Sequence, residues 1–572
     1  MVDLTSHPFS VRKNSNPQKT VKVFGREISA LDFIIIGAMS FILLMQLYLQ
    51  FTQRINWDEF FYLSHIYDGQ KGRLDKTLQM GHVYLFSWLT AIPGGEMMQI
   101  TVGRTVMWAA QIATISLIVK TAQKFMSFSS ALFAGLSFLG LGFVFIHGTS
   151  FRADPVAALC MMYAVYVFTA SDLRRAHLAG LSVALALGAF ITIKVILFAP
   201  LLAVLAVMRL NTAKDKKSLF VRFTIAAALA IFLFPGSVFL HSLTLAVPEN
   251  VDHTKSLGST AETVFLSGGL FPRLAVMKVG FLTGLLPTIM IIFGAMAALW
   301  SVLMNKPNQG VALNVLAMAL PLLCFVFYRN AYPYFYAFIF PSAAILAGYA
   351  IDRLKLPNLI IVALSVVTVL NLVVLGGSRK NQSRAVQAET IEAVHTIFSD
   401  PVHYFDRNGM IASFPKAGFF MSSWGLRNYR MGETPMFLQE LNHKTIPLLI
   451  DNSPNINAAL RGEESGLLAA DAMVLRANYI QHWGHIWVAG KSLETSPEPL
   501  KFKILVPGTY SLKASNDVNI NGAVYASGSQ VDLPRGDYVI SSQSPQNVIL
   551  RWGVNLSRPD FDAIDAPIFG SF

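Results

Sequence analysis

Arg54-Ile55-Asn56-Trp57-Asp58-Glu59-Phe60-Phe61-Tyr62 sets two adjacent carboxylates directly after the first long apolar run of the chain, Leu31 to Phe51. A helix needs about 20 apolar residues to cross a hydrocarbon core of roughly 30 Å, and that run supplies them. The residues before it, 1–30, are polar, carry Arg12, Lys13, Lys19, Lys22 and Arg26, and lack the small-residue cleavage site of a removable signal peptide. Basic flanks stay in the cytoplasm. Asp58 and Glu59 are therefore expected to emerge on the outer side of a membrane.

Composition agrees with a chain that lives in a bilayer. Hydrophobic residues make up 53% of the 572 and charged residues 14%, with a mean hydropathy of +0.49, which is too apolar for a soluble enzyme of this length. The net charge of +12 is distributed in short clusters between apolar runs, the pattern that encodes topology, and nucleic acid is not an expected partner. Cys160 and Cys324 both fall inside apolar runs, so neither a disulfide framework nor a cysteine metal site is implied.

Further crossings are expected at 99–119, 129–147, 154–170, 178–192, 195–209, 219–239, 274–303, 311–328, 335–351 and 358–377, eleven with the first. Lys194 interrupts one continuous apolar run and leaves two short halves; keeping them as two spans puts Lys120, Arg174, Arg209, Lys214, Arg222, Lys306 and Arg353 on the cytoplasmic side. Arg152, Lys194, Arg273, Lys278 and Arg329 then fall at outer span ends, a placement that calls for an anionic partner. Gly81 to Leu89 mixes aromatics and aliphatics at near-helical spacing and is too short to span, so it is expected to lie in the interface.

From about residue 378 the chain takes on a water-soluble composition, which the parity of the spans places outside the membrane. Residues 378–490 read as a small α/β unit. Residues 491–572 alternate at period two, as at Phe502, Ile504, Tyr510, Leu512, Val518, Ile520, Val531, Leu533, Tyr538 and Ile540, and read as a small β-sandwich. No internal repeat or phosphate-binding glycine loop is present.

Asn56-Trp57-Asp58-Glu59-Phe60-Phe61-Tyr62, then Leu85 to Leu89 followed by Arg104, then Arg152-Ala153-Asp154-Pro155, Thr192-Ile193-Lys194 and Tyr332-Pro333-Tyr334-Phe335-Tyr336 with Pro341 form an ordered set. That set resembles the polyprenyl-phosphate-sugar-dependent membrane glycosyltransferases of GT-C type, the superfamily of the protein mannosyltransferases and the lipid A aminoarabinose transferases. The likeness covers roughly residues 30–377. It implies a sugar donor carried on a membrane lipid phosphate, a lipid or glycan acceptor reached from the outer face of the cytoplasmic membrane, and Asp58 as the catalytic acid of the pair.

Elementary chemistry supports such a site. A sugar phosphate already carries a good leaving group, so transfer needs a carboxylate to take the acceptor hydroxyl's proton and cations to hold the departing phosphate. Asp58 is the expected base; Glu59 faces away, binds the acceptor or helps hold a metal ion. Lys194, Arg152 and Arg329 are the expected phosphate contacts, set against snorkelling for Lys194, simple pairing with Asp154 for Arg152 and helix termination for Arg329. Trp57, His82, Asp154, Tyr332, Tyr334 and Tyr336 are candidate substrate contacts, although aromatic residues at this depth also form the ordinary interfacial belt. No two of His65, His82, His147, His241 and His253 stand at helical i, i+3 or i, i+4 spacing, so no metal set is assigned and a divalent ion is left open. Two further readings remain at this level: a transporter of an anionic lipid-linked sugar, and a membrane-anchored glycan-binding subunit without catalysis.

Overall fold

The computed structural model describes residues 21–23, 26–75, 80–246, 269–377 and 383–570. Arg12, Lys13, Lys19 and most of the expected cytoplasmic segment lie outside the described residues, as does His253. Val21–Val23 and Arg26–Ile28 pair as an antiparallel hairpin. Ser29 then starts the first span, Ala30–Thr52: its hydroxyl accepts from the Asp32 amide at 3.2 Å and the Asp32 carboxylate accepts from the Ser29 amide at 2.9 Å, which satisfies donors that a helix start leaves open.

Among the described residues seven helices are long and apolar enough to cross a membrane, or eight if the bent pair Gln309–Ala317 and Leu320–Val326 is one span. The protein is a multi-pass membrane protein, and each long helix lies where an apolar run predicts one. The expected eleven exceeds this count for local reasons. The run at 129–147 breaks into Phe128–Gly140 and Gly142–His147, and 154–170 and 178–192 become helices of 17 residues each, whereas the run at 274–303 breaks at Gly284 and still keeps one long helix, Leu285–Leu303. Lys194 sits on a 3-10 turn, Ile193–Phe198, between the helices Arg175–Ile191 and Ala199–Thr212.

Pro333–Leu354 is the central span: 94% of an 18-residue stretch of it is buried inside the protein, against 11–44% for such stretches of the other long helices. Its run of Ala343, Ala344, Ala347, Gly348 and Ala350 gives neighbours little side chain to avoid. Close approach follows, as small residues allow in apolar surroundings. A Cβ added to Gly348 would lie 2.3 Å from the Ser130 carbonyl oxygen.

The C-terminal domain begins with the helix Ser383–Ile397. Two short strands, Lys416–Ala417 and Leu448–Ile450, pair in parallel with Tyr404–Phe405, and Leu448–Ile450 pairs antiparallel with the long strand Ile486–Thr495. That long strand also pairs with Gln546–Trp552 of the period-two region, so it runs across the expected division at 490/491 and one sheet joins the two parts. The alternating residues Ile504, Tyr510, Leu512, Val518, Ile520, Val531, Leu533 and Ile540 are buried together in the core of the sandwich. Strands Ala523–Tyr525 and Gln546–Trp552 add to those that alternation predicts.

Candidate active site

The segment after the first span turns at once into a second helix, Trp57–Gln70. Asn56 caps it: the Asp58 amide donates to the Asn56 side chain at 3.0 Å, and the Asn56 amide donates to Glu59 Oε1 at 3.0 Å. Just upstream, Gln387 of the C-terminal domain takes the Ile55 amide at 2.9 Å and donates to the Ile55 carbonyl at 2.8 Å. The two carboxylates are thus fixed by backbone bonds on either side.

Glu59 is buried and fully engaged. Arg104, on the helix Gly95–Ala122, donates to both of its oxygens at 2.7 Å, and the Phe151 amide donates to Oε2 at 2.8 Å. With the Asn56 bond, each oxygen accepts two donors. Burial raises the pKa of this carboxyl, but the charge and hydrogen bonds of Arg104 outweigh it and hold Glu59 below its ordinary value. Arg104 also donates to the carbonyls of Gln50, Gln53 and Arg54, where the first span leaves its last carbonyls unpaired. Glu59 therefore ties the second helix to the end of the first and to the segment at 151. It presents no oxygen for an acceptor or a metal ion, which, of the three roles left open by the sequence, leaves the one in which it faces away.

Asp58, one residue earlier, points the other way and is partly open, with its side chain 15% exposed. It accepts from Arg152 Nη1. Arg152 precedes the helix Ala153–Thr169 and stands with its guanidinium carbon 3.4 Å from the centre of the Tyr334 ring. Its Nε lies 3.6 Å from Asp154 Oδ2, too far for a hydrogen bond, and among the described residues neither atom has another hydrogen-bond partner. Lys194 donates to Asp154 Oδ1 at 2.7 Å and lies 5.1 Å from the Tyr334 ring. Four elements distant in sequence thus deliver Asp58, Arg152, Asp154, Lys194 and Tyr334 to one place, with two acids against two cations.

The remaining candidates are spread more widely. Trp57 borders the cluster and carries the Arg407 guanidinium over its ring at 4.1 Å. Tyr332 stacks against Tyr334 at 6.0 Å and accepts from Arg273. Arg329 stands over Trp424 of the C-terminal domain at 5.0 Å, and its carbonyl accepts from Arg273 Nε at 2.7 Å, so Arg273 and Tyr332 connect it to the five-residue cluster. His82 is buried among Tyr62, Phe86 and Phe151, at 4.5–4.7 Å. Burial, with the charges of His65 and Arg152, brings its pKa down to about 3, so it packs as a neutral ring behind the site. Tyr336 turns into the apolar core against Phe143, Phe325 and Phe340. Periodicity alone could not separate these core aromatics from site aromatics. Arg407 was missed because it comes from a distant domain. Among the described residues no group of three or more His, Cys, Asp or Glu side chains is placed to hold a metal ion.

No family model and no curated protein matches the chain by sequence. Solved structures do. ArnT from Cupriavidus metallidurans bound to undecaprenyl phosphate superimposes with a TM-score of 0.55 at 14% identity, over 76% of this chain and 96% of that one. The apo state of the same protein gives 0.53 at 15% identity, over 76% and 95%. At these identities the likeness concerns the backbone arrangement, and the chain has the GT-C fold of membrane glycosyltransferases.

Proposed function

We propose that the protein is an integral-membrane glycosyltransferase that moves a sugar from a polyprenyl-phosphate donor to a lipid or glycan acceptor at the outer face of the cytoplasmic membrane. Its N-terminus is then cytoplasmic and its C-terminal domain extracytoplasmic. The observation that carries the reading is the contact between Asp58 and Arg152, with Lys194 and Tyr334 beside it, at the point where the first span ends. The undecaprenyl phosphate bound to the ArnT neighbour, which shares the fold, supports a donor of this chemistry.

In the resting arrangement Arg152 covers the base. A donor phosphate competes with Asp58 for that guanidinium, takes a second contact from Lys194, and leaves the carboxylate available to the acceptor. Asp58 then accepts the acceptor hydroxyl's proton while the hydroxyl oxygen bonds to the anomeric carbon. The bond from that carbon to the phosphate oxygen breaks, its electron pair leaves with the phosphate, and polyprenyl phosphate is released with inversion. A positioned base contributes roughly 10²- to 10⁴-fold, and the cations hold the charge that develops on the phosphate. Glu59 and Arg104 act as positioning residues.

The test is to incubate purified full-length protein with synthetic undecaprenyl-phosphate sugars and a membrane lipid and glycan extract. The expected result is sugar transfer with stoichiometric release of undecaprenyl phosphate. Consumption of no donor across a panel of sugars contradicts the reading.

A further inference from the structure

Arg407 belongs to the C-terminal domain, yet its guanidinium stands on the Trp57 ring, next in sequence to Asp58. The loop that presents it is fixed at many points. The Asp406 carboxylate accepts from the amides of Asn408, Gly409 and Met410 at 2.7–3.0 Å and from Asn452 Nδ2 at 3.0 Å. The Arg407 amide donates to Asn452 Oδ1 at 2.8 Å, and its carbonyl accepts from the Met421 amide at 2.9 Å. Asn408 donates to the Trp57 carbonyl at 3.0 Å, which docks the loop on the start of the helix that carries Asp58. Gly409 has φ +80°, and a Cβ there would lie 2.8 Å from Ser64 Oγ, so the loop is pressed against that helix.

The side chain at the end of this scaffold rests on the Trp57 ring but has no hydrogen-bond acceptor among the described residues, and its Nε is shielded from solvent. Arg104, the structural arginine of the same protein, makes five hydrogen bonds. Burial lowers the pKa of Arg407 from its ordinary value while the charges of Asp58 and Asp406 act the other way; it remains a cation at any working pH. A half-buried guanidinium whose shielded Nε has no acceptor, and whose other donors are taken by no described residue, can receive an oxyanion without giving up a protein partner.

We infer that Arg407 is the acceptor-side anion contact: a phosphate or carboxylate on the acceptor docks on its guanidinium and brings the acceptor hydroxyl to Asp58. This rests on the glycosyltransferase reading and adds to it that the acceptor is anionic. The side of approach supports the assignment. Arg152, Asp154, Lys194 and Tyr334 come from the membrane helices and the segments that join them, whereas Arg407 reaches the start of the Asp58 helix, at Trp57, from the C-terminal domain. An acceptor entering there need not displace the donor phosphate. A guanidinium suits the purpose because its fork matches an oxyanion with two donors at once.

The test compares full-length wild type, Arg407→Ala and Arg407→Lys in three measurements: affinity for undecaprenyl phosphate, transfer to the membrane extract at limiting extract, and inhibition of that transfer by added inorganic phosphate. The expected result for Arg407→Ala is undecaprenyl phosphate affinity within about twofold of wild type, transfer reduced roughly 10- to 100-fold through the acceptor KM, and loss of competitive inhibition by phosphate. Arg407→Lys falls between, and it carries the test if the alanine variant fails to fold. Undecaprenyl phosphate affinity reduced about tenfold would move Arg407 to the donor side. Transfer and phosphate inhibition unchanged in both variants overturn the assignment while leaving the glycosyltransferase reading standing. A wild type that transfers no sugar contradicts that reading and this one with it.

Discussion

The Arg152 guanidinium stands 3.4 Å from the centre of the Tyr334 ring while donating to Asp58. The ring orients a planar cation so that one edge faces the acid. Lysine cannot reproduce that geometry, because its charge is a compact ammonium without a stacking face. Arg152→Lys is therefore expected to behave almost like Arg152→Ala. Each, like Lys194→Ala, should weaken undecaprenyl phosphate binding by roughly 10- to 100-fold, the range of a charge-assisted hydrogen bond. Titration of the purified variants with undecaprenyl phosphate measures this. Unaltered affinity in all three removes the phosphate contact.

Breaking the pair behind the site should affect stability first. Arg104→Met leaves Glu59 as a buried charge with only its backbone donors, and removing one partner of a buried pair costs about 3–5 kcal/mol. The double substitution Arg104→Met with Glu59→Gln should recover part of that loss, because no uncompensated charge remains. Denaturant unfolding in detergent checks both. Equal stability of Arg104→Met and wild type would show that the pair does not hold the two helices together.

Much of this site is visible in the sequence, and what is missing has a physical explanation. Asp58, Arg152, Asp154, Lys194 and Tyr334 stand where apolar runs end, and a charge at a span end needs a partner. Their shared side of the membrane is what counting the apolar runs predicts. The use of Glu59 was hidden because Arg104 lies 45 positions away and three of its acceptors are backbone carbonyls, groups that every residue carries. Arg407 was hidden for a related reason. The loop beside it bonds Trp57 across 351 positions, and one arginine in the C-terminal domain has no local signature. His82 and Tyr336 went the other way, since an aromatic residue at a membrane boundary looks the same whether it faces a ligand or packs on its neighbours.

The C-terminal domain is also held by a titratable contact. His395 lies 3.3 Å from Glu96 at the start of the span Gly95–Ala122, and Ser413 donates to the same carboxylate at 2.7 Å. The hydrogen bond to Glu96 raises the pKa of His395 above 6.5, against burial, which lowers it. Protonated His395 is the form that Glu96 stabilises. Its contribution is therefore complete below about pH 6.5 and fades as pH rises through the higher folded-state value. Thermal unfolding from pH 6 to pH 9 should show the wild type losing stability relative to His395→Gln. Parallel curves for the two proteins contradict the linkage.

Asp58 carries the central claim, and its carboxylate can be altered without changing its shape. Undecaprenyl-phosphate sugar consumption by Asp58→Asn, measured beside wild type in the same detergent with undecaprenyl phosphate binding as the control, is the direct measurement. The account predicts binding that persists and turnover lower by roughly 10²- to 10⁴-fold. Turnover at the wild-type rate, with the donor still bound, would contradict it.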